Sequence, residues 1–181
     1  MSYQPFSADG HQVRWRTWDG EGEEVTTITW ENEGWTVSGQ VSQEAIQYVI
    51  RLTATWRVSQ FLLFRDLDEP DLWLGTDGAG HWGEVNGAHR PELDGCIDLD
   101  LVCTPFTHSL PIRRLPLSDG ETAIVPVLTI DPETLATGKV EHRYTRLDHH
   151  RWQHHTSHFT TELAVDEFGL VLDYPDAWRR G

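Results

Sequence analysis

The sequence predicts an all-β, mainly antiparallel fold, and three observations predict it. Short alternating segments rich in aromatic and β-branched residues recur along the chain. Gly, Asp, Asn and Pro break them at regular intervals. Helical periodicity is nearly absent. The strands are placed, in order, at 11–18, 23–31, 34–41, 47–58, 60–66, 71–76, 81–86, 96–103, 122–130, 137–147, 150–156, 159–165 and 169–174. Consecutive strands then form a meander. Ser42 to Tyr48, where a serine precedes Gln43, Glu44 and Ala45, is the best helix candidate, and Pro175 to Arg179 holds a second short turn.

Three hairpins can be registered from the positions of large apolar residues. A loop at Asn32-Glu33 pairs Trp30 with Trp35 and Ile28 with Val37. A two-residue loop at Asp77-Gly78 sets Trp73 opposite Trp82, because Asp-Gly favours a primed turn. A loop at Glu167-Phe168 sets Val165 opposite Leu170, Leu163 opposite Leu172 and Thr161 opposite Tyr174. A one-residue slip in any of these would scatter the apolar face.

The 181 residues suit one domain covering 1–181, with no linker or internal repeat to divide it. A hydrophobic fraction of 38% and a charged fraction of 24% fit a soluble globular chain. The net charge of −15, with Lys139 as the one lysine, argues against nucleic acid and anionic membrane surfaces as partners. No apolar run is long enough for a membrane helix, and the start MSYQPFSADG has no secretory pattern, so a cytoplasmic location is expected. Cys96 and Cys103 sit in a segment read as extended, which separates them by about 23 Å at about 3.3 Å per residue. A disulfide needs Cα atoms within about 7 Å, so two free thiols are expected.

The nine tryptophans are either core or the wall of an apolar site. The segment from Leu93 to Leu117 is the densest in chemistry. Strand alternation puts Asp98 and Asp100 on one face, and Arg113 and Arg114 follow a stretch bounded by prolines 105, 111 and 116. This combination could be a structural ion-pair network, a head-group site built on an arginine fork, or an acid with a partner. In an extended segment only one of the two arginines would face inward. His142, His149, His150, His154, His155 and His158 have no fixed ligand spacing, and the polar run DHHRWQHHTSH reads as a solvated hairpin without a tight metal. Phosphate-loop, nucleophile-elbow, zincin and dinucleotide motifs are absent from the sequence.

The blocks Gly95-Cys96-Ile97-Asp98-Leu99-Asp100, Thr104-Pro105-Phe106-Thr107 and Leu110-Pro111-Ile112-Arg113-Arg114-Leu115 carry a resemblance, together with Asp77 to Trp82, Arg143-Tyr144-Thr145 and Val165 to Pro175. On these the chain resembles the bacterial family called putative glycolipid-binding proteins, over nearly its whole length. The resemblance implies a long curved antiparallel sheet like that of the lipoprotein localisation factors, a half-open barrel with an apolar cavity and one or two short helices. It also implies non-enzymatic binding of an apolar or amphiphilic ligand such as a glycolipid. The candidate ligand-binding set is Trp56, Trp73, Trp82, Asp98, Asp100, Phe106, Thr107, Arg113 and Arg114, with no catalytic residue, metal ligand or cofactor assigned. The alternatives are an enzyme using Asp98 or Asp100 in the same cavity, and a haem- or metal-binding barrel using one of the histidines.

Overall fold

The computed structural model describes residues 3–66 and 68–181. Its strands are β1 (His11–Thr17), β2 (Glu23–Glu31), β3 (Gly34–Val41), β4 (Ile46–Thr53), β5 (Val58–Phe64), β6 (Leu72–Thr76), β7 (Trp82–Glu84), β8 (Asp98–Leu101), β9 (Thr122–Ile130), β10 (Thr137–Arg146), β11 (Arg151–His155), β12 (Thr160–Val165), β13 (Val171–Tyr174) and β14 (Trp178–Arg180). One helix, α1 (Ser109–Arg114), interrupts them. The strands make one 14-stranded sheet in the order β7-β6-β5-β4-β3-β2-β1-β14-β13-β12-β11-β10-β9-β8, which is not closed.

Two half-meanders meet where β1 pairs with β14, with Trp15 opposite Arg180 and Thr17 opposite Trp178. The edges are β7 and β8. Every pair is antiparallel except β8 and β9, where Asp98 lies opposite Val127 and Leu101 opposite Ile130. A parallel pair cannot be closed by a tight turn and needs a crossover of a dozen or more residues. Residues 102–121 supply it, and α1 lies within that crossover. Phe106 and Leu110 are fully buried in the larger apolar core, which reaches from β1 to β9, and Ile112 is buried in the smaller one under β9 to β13. The crossover thus joins the two cores.

The helix stands in a stretch read from the sequence as extended. Its prolines explain both readings. Pro111 lies in the first turn, where an amide hydrogen has no helical partner anyway. Leu115, held extended at ψ 124 before Pro116, ends the helix. The expected helix at Ser42 to Tyr48 is instead a turn with Ala45 at φ 50, and Tyr48 belongs to β4. The turn after Pro175 is present, but it feeds β14, a strand absent from the sequence-based assignment.

The first hairpin follows the expected register. Trp30 pairs with Trp35 and Ile28 with Val37, across a turn in which Asn32 and Glu33 adopt φ 52 and 60. The other two do not. Thr76 pairs with Trp82, so the loop has five residues and Trp73 falls on the opposite face from Trp82. Asp77 organises this wider loop: one carboxylate oxygen accepts from the amides of Ala79 at 2.8 Å and His81 at 3.1 Å. Gly80 also accepts from the Gly95 amide at 2.8 Å, so the loop grips the segment leading to β8. Val165 pairs with Val171, and a bulge lies between Ala164 and Val165. There Asp166 accepts from the amides of Phe168 at 3.0 Å and Leu170 at 2.9 Å, which again widens the loop. Cys96 and Cys103 are free, and both are buried.

Candidate functional site

The candidate site is built around the crossover. Asp98 is inaccessible to solvent beneath the last turn of α1, and Arg114 grips both its oxygens, with Nε 3.2 Å from Oδ1 and Nη2 on Oδ2. Burial raises the Asp98 carboxyl above its ordinary range, and the adjacent guanidinium opposes that shift. Arg113 has a different environment. Its guanidinium lies 4.3 Å from the ring centroid of Phe6 and 4.3 Å from that of Trp56, and it donates to the Phe168 carbonyl. Burial pushes its pKa down to about 10, which leaves it charged at neutral pH. The expectation of one inward and one solvent-facing arginine therefore fails. Neighbouring residues on a helix point about 100° apart, not to opposite faces.

Beside these arginines runs a groove of about 680 Å³. Its apolar lining comes from Tyr3, Ile112, Leu115, Pro116 and Leu117, and its polar lining from Arg113, Arg114, Ser118, Asp119, Arg146 and His149. Arg146 donates to the Leu117 carbonyl at 2.9 Å and lies 2.9 Å from Asp119. Tyr3 is clamped by Trp152 Nε1 at 2.7 Å and donates to the His149 carbonyl at 3.1 Å.

Behind α1 lies a buried polar cluster. Thr107 donates to Asp100 at 3.0 Å, His108 Nδ1 bonds the Tyr144 hydroxyl at 2.9 Å, and His154 Nε2 bonds His142 Nδ1 at 3.1 Å. Burial pushes His108 down to about 3 and His154 to about 2, and lowers His142 too, so all three are neutral at pH 7. The run is thus a surface hairpin in part: His150, His155 and His158 are exposed, while His154 turns inward. Trp152 and His154 share a face as expected, but that face is the inner one and both are buried; His150 precedes β11 and is exposed. Among the described residues no group of three or more His, Cys, Asp or Glu could hold a metal ion.

The predicted site residues therefore divide. Arg113 and Arg114 reach the groove, with Trp56 beneath the first and Asp98 behind the second. Asp100 and Thr107 belong to the inner cluster, and Phe106 is core. Trp73 and Trp82 border a separate hollow of about 410 Å³ at the β6–β7 edge. Sequence reasoning missed Glu24. It is fully buried, and Thr104, Tyr48 and Thr26 donate to its Oε1 at 2.6, 2.6 and 2.8 Å. Desolvation pushes its pKa up to about 7. Glu24, Thr26 and Ile28 alternate onto the inner face of β2, a period-2 pattern that marks a carboxylate on an apolar face.

The site thus stands on an open, mainly antiparallel β-sheet with one short helix, beside which runs a groove of mixed apolar and guanidinium lining. The family model described as "Putative glycolipid-binding" matches residues 12–180, and the chain belongs to that family. The chain is also similar to the crystal structure of a DUF1089 family protein from Pseudomonas aeruginosa. The two share 30% sequence identity and superpose with a TM-score of 0.71, over 100% of this chain and 96% of that one. No curated protein matches.

Proposed function

We propose that the chain binds an amphiphile of the glycolipid type without altering it chemically, in the groove beside α1. The observation that carries this reading is the groove's mixed lining. It concentrates Arg113, Arg114 and Arg146 beside Ile112, Leu115 and Leu117, in a chain of net charge −15. Guanidinium groups suit an anionic or hydroxylated head, and the apolar strip suits a tail. The interior of the half-barrel is already filled by Phe106, Leu110 and Ile112, so the tail lies along the groove and not inside the sheet. The family description is in keeping with this ligand class. The enzymatic reading has less support at Asp98, because Arg114 occupies both its oxygens.

The test is displacement of a fluorescent fatty acid by dodecyl glucuronide and dodecyl maltoside, with native mass spectrometry of the fresh protein. The wild type should bind, and Leu117→Asp should weaken binding at least tenfold at a temperature where circular dichroism shows the variant still folded. Equal affinity in wild type and variant would move the site away from the groove.

A further inference from the structure

The inner cluster opens to solvent at the opposite end of the C-terminal strands from the arginine groove. The opening is a cavity of about 210 Å³. Its walls are aromatic: Phe159 from the β11–β12 turn, Tyr174 at the end of β13 and Trp178 at the start of β14. Its floor carries Asp100, Thr104 and His108. Thr104 commits its hydroxyl to Glu24 at 2.6 Å, and His108 is neutral because burial pushes it down to about 3. Asp100 takes the Thr107 hydroxyl on Oδ1, while its Oδ2 has no protein partner among the described residues. Burial raises the Asp100 carboxyl and neighbouring His142 opposes that shift; among the described residues Asp100 is the one acidic group in the cavity lining.

The surroundings reinforce that sign. An adjoining hollow of about 540 Å³ shares Val102, Ala177 and Trp178 with the cavity and adds Asp19, Glu44 and Asp176. Among the described residues no lysine or arginine lines either space; Arg179 lies 5.8 Å from the Trp18 ring. The rim is also unusually apolar for a surface. Phe159 and Val102 line the cavity and are 45% and 61% exposed, and Trp18, 49% exposed, lines the adjoining hollow. Single exposed apolar residues need no explanation, but a contiguous patch around a concave opening marks an interaction site.

Aromatic faces attract cations through the ring quadrupole, more strongly once water is displaced. A hydrated metal ion gains little from such walls, since they offer no ligand to replace its water. An alkylammonium group, weakly hydrated and apolar at its surface, gains from both the rings and the carboxylate. We propose that this cavity is a binding site for an organic cation bearing an alkylated ammonium group, held by Asp100 and enclosed by Phe159, Tyr174 and Trp178. The space is smaller than the roughly 300–1,000 Å³ of a drug-sized ligand site and accommodates a trimethylammonium head. The site is separate from the arginine groove, and its failure leaves the amphiphile reading untouched.

Calorimetric titration with choline chloride tests it against 3,3-dimethylbutan-1-ol, the uncharged analogue of the same shape. Choline should bind saturably and at least tenfold more tightly than the alcohol. Asp100→Asn and Phe159→Ala should each weaken choline binding at least tenfold. Phe159 sits on an exposed turn, so its variant keeps the fold even if Asp100→Asn does not. Co-flotation with phosphatidylcholine vesicles would make a lipid head the source of the cation, and choline binding without co-flotation a free small molecule; each supports the site. Equal binding of choline and the alcohol, preference for glucose, or no saturable choline binding would overturn it.

Discussion

Arg114→Ala removes the partner of a carboxylate that has no access to water. Asp98 is 0% exposed at its side chain, and Arg114 17%, so solvent screens the pair little. Breaking such a pair from one side costs about 3–5 kcal/mol, because the remaining charge is buried without compensation. For a chain of this size each kcal/mol lowers Tm by about 2–4 °C, so a fall of about 6–20 °C is expected. The sign of the pH dependence follows from burial. Asp98 is already raised by desolvation, and losing Arg114 raises it further. A carboxyl whose folded pKa exceeds its unfolded value binds protons more tightly in the fold. The unfolded state is common to both proteins, so the deficit of the variant should be smallest below the folded pKa of wild-type Asp98, itself above the ordinary carboxyl value, and grow as pH rises beyond it. Urea melts of wild type and Arg114→Ala at pH 4 and pH 7 measure both quantities, and Asp98→Asn combined with Arg114→Met should recover most of the loss. A loss under about 1 kcal/mol at pH 7, or one that does not change with pH, would refute the reasoning.

Glu24→Gln should remove a pH-dependent penalty: the wild-type carboxyl, pushed up to about 7, makes stability fall as pH rises from about 4.3 to 7. Chemical melts at pH 5 and pH 8 should show that slope flattened in the variant, and an unchanged slope would assign it to other groups. Trp82→Ala should cost about 3–5 kcal/mol, because the ring is 1% exposed and its Nε1 donates to the Cys96 carbonyl at 3.0 Å. The half-buried Trp73 should cost clearly less, and equal midpoints for the two variants would contradict their placement on opposite faces.

Period-2 alternation made the strands legible because each apolar face must find the core. β2 and β3 match their expected bounds, and Trp30 opposite Trp35 needed only a two-residue turn. The wider loops at Asp77 and Asp166 were not legible. In each, an aspartate side chain gathers distant amides, and that choice depends on what the loop must reach. Nor was α1, whose three nearby prolines read locally as extended backbone and whose existence follows from the parallel pairing of β8 with β9. For the same reason Arg113 and Arg114 were rightly singled out while their directions were misjudged. The histidines were assigned to solvent by polarity alone. Two of them, His142 in β10 and His154 in β11, instead share the inner face with Tyr144 and Trp152 and bond each other, while His150, His155 and His158 do lie at the surface.

The pairing of β1 with β14 has a consequence for how the molecule assembles. Within each half, every contact between neighbouring strands is close in sequence apart from the β8–β9 crossover, and such contacts close small loops at low entropic cost. Uniting the halves means joining Trp15 to Arg180, across nearly the whole chain. Long-range pairings of that kind slow folding, because chain entropy is lost before the contact rewards it. Three residues, Trp178 to Arg180, form the entire last strand, so the integrity of the whole sheet passes through one of its two three-residue strands. Trp178 is at once part of that suture and a wall of the cavity above Asp100. A ligand held there would therefore act as a clasp on the suture, favouring the joined form over the parted one in proportion to its concentration.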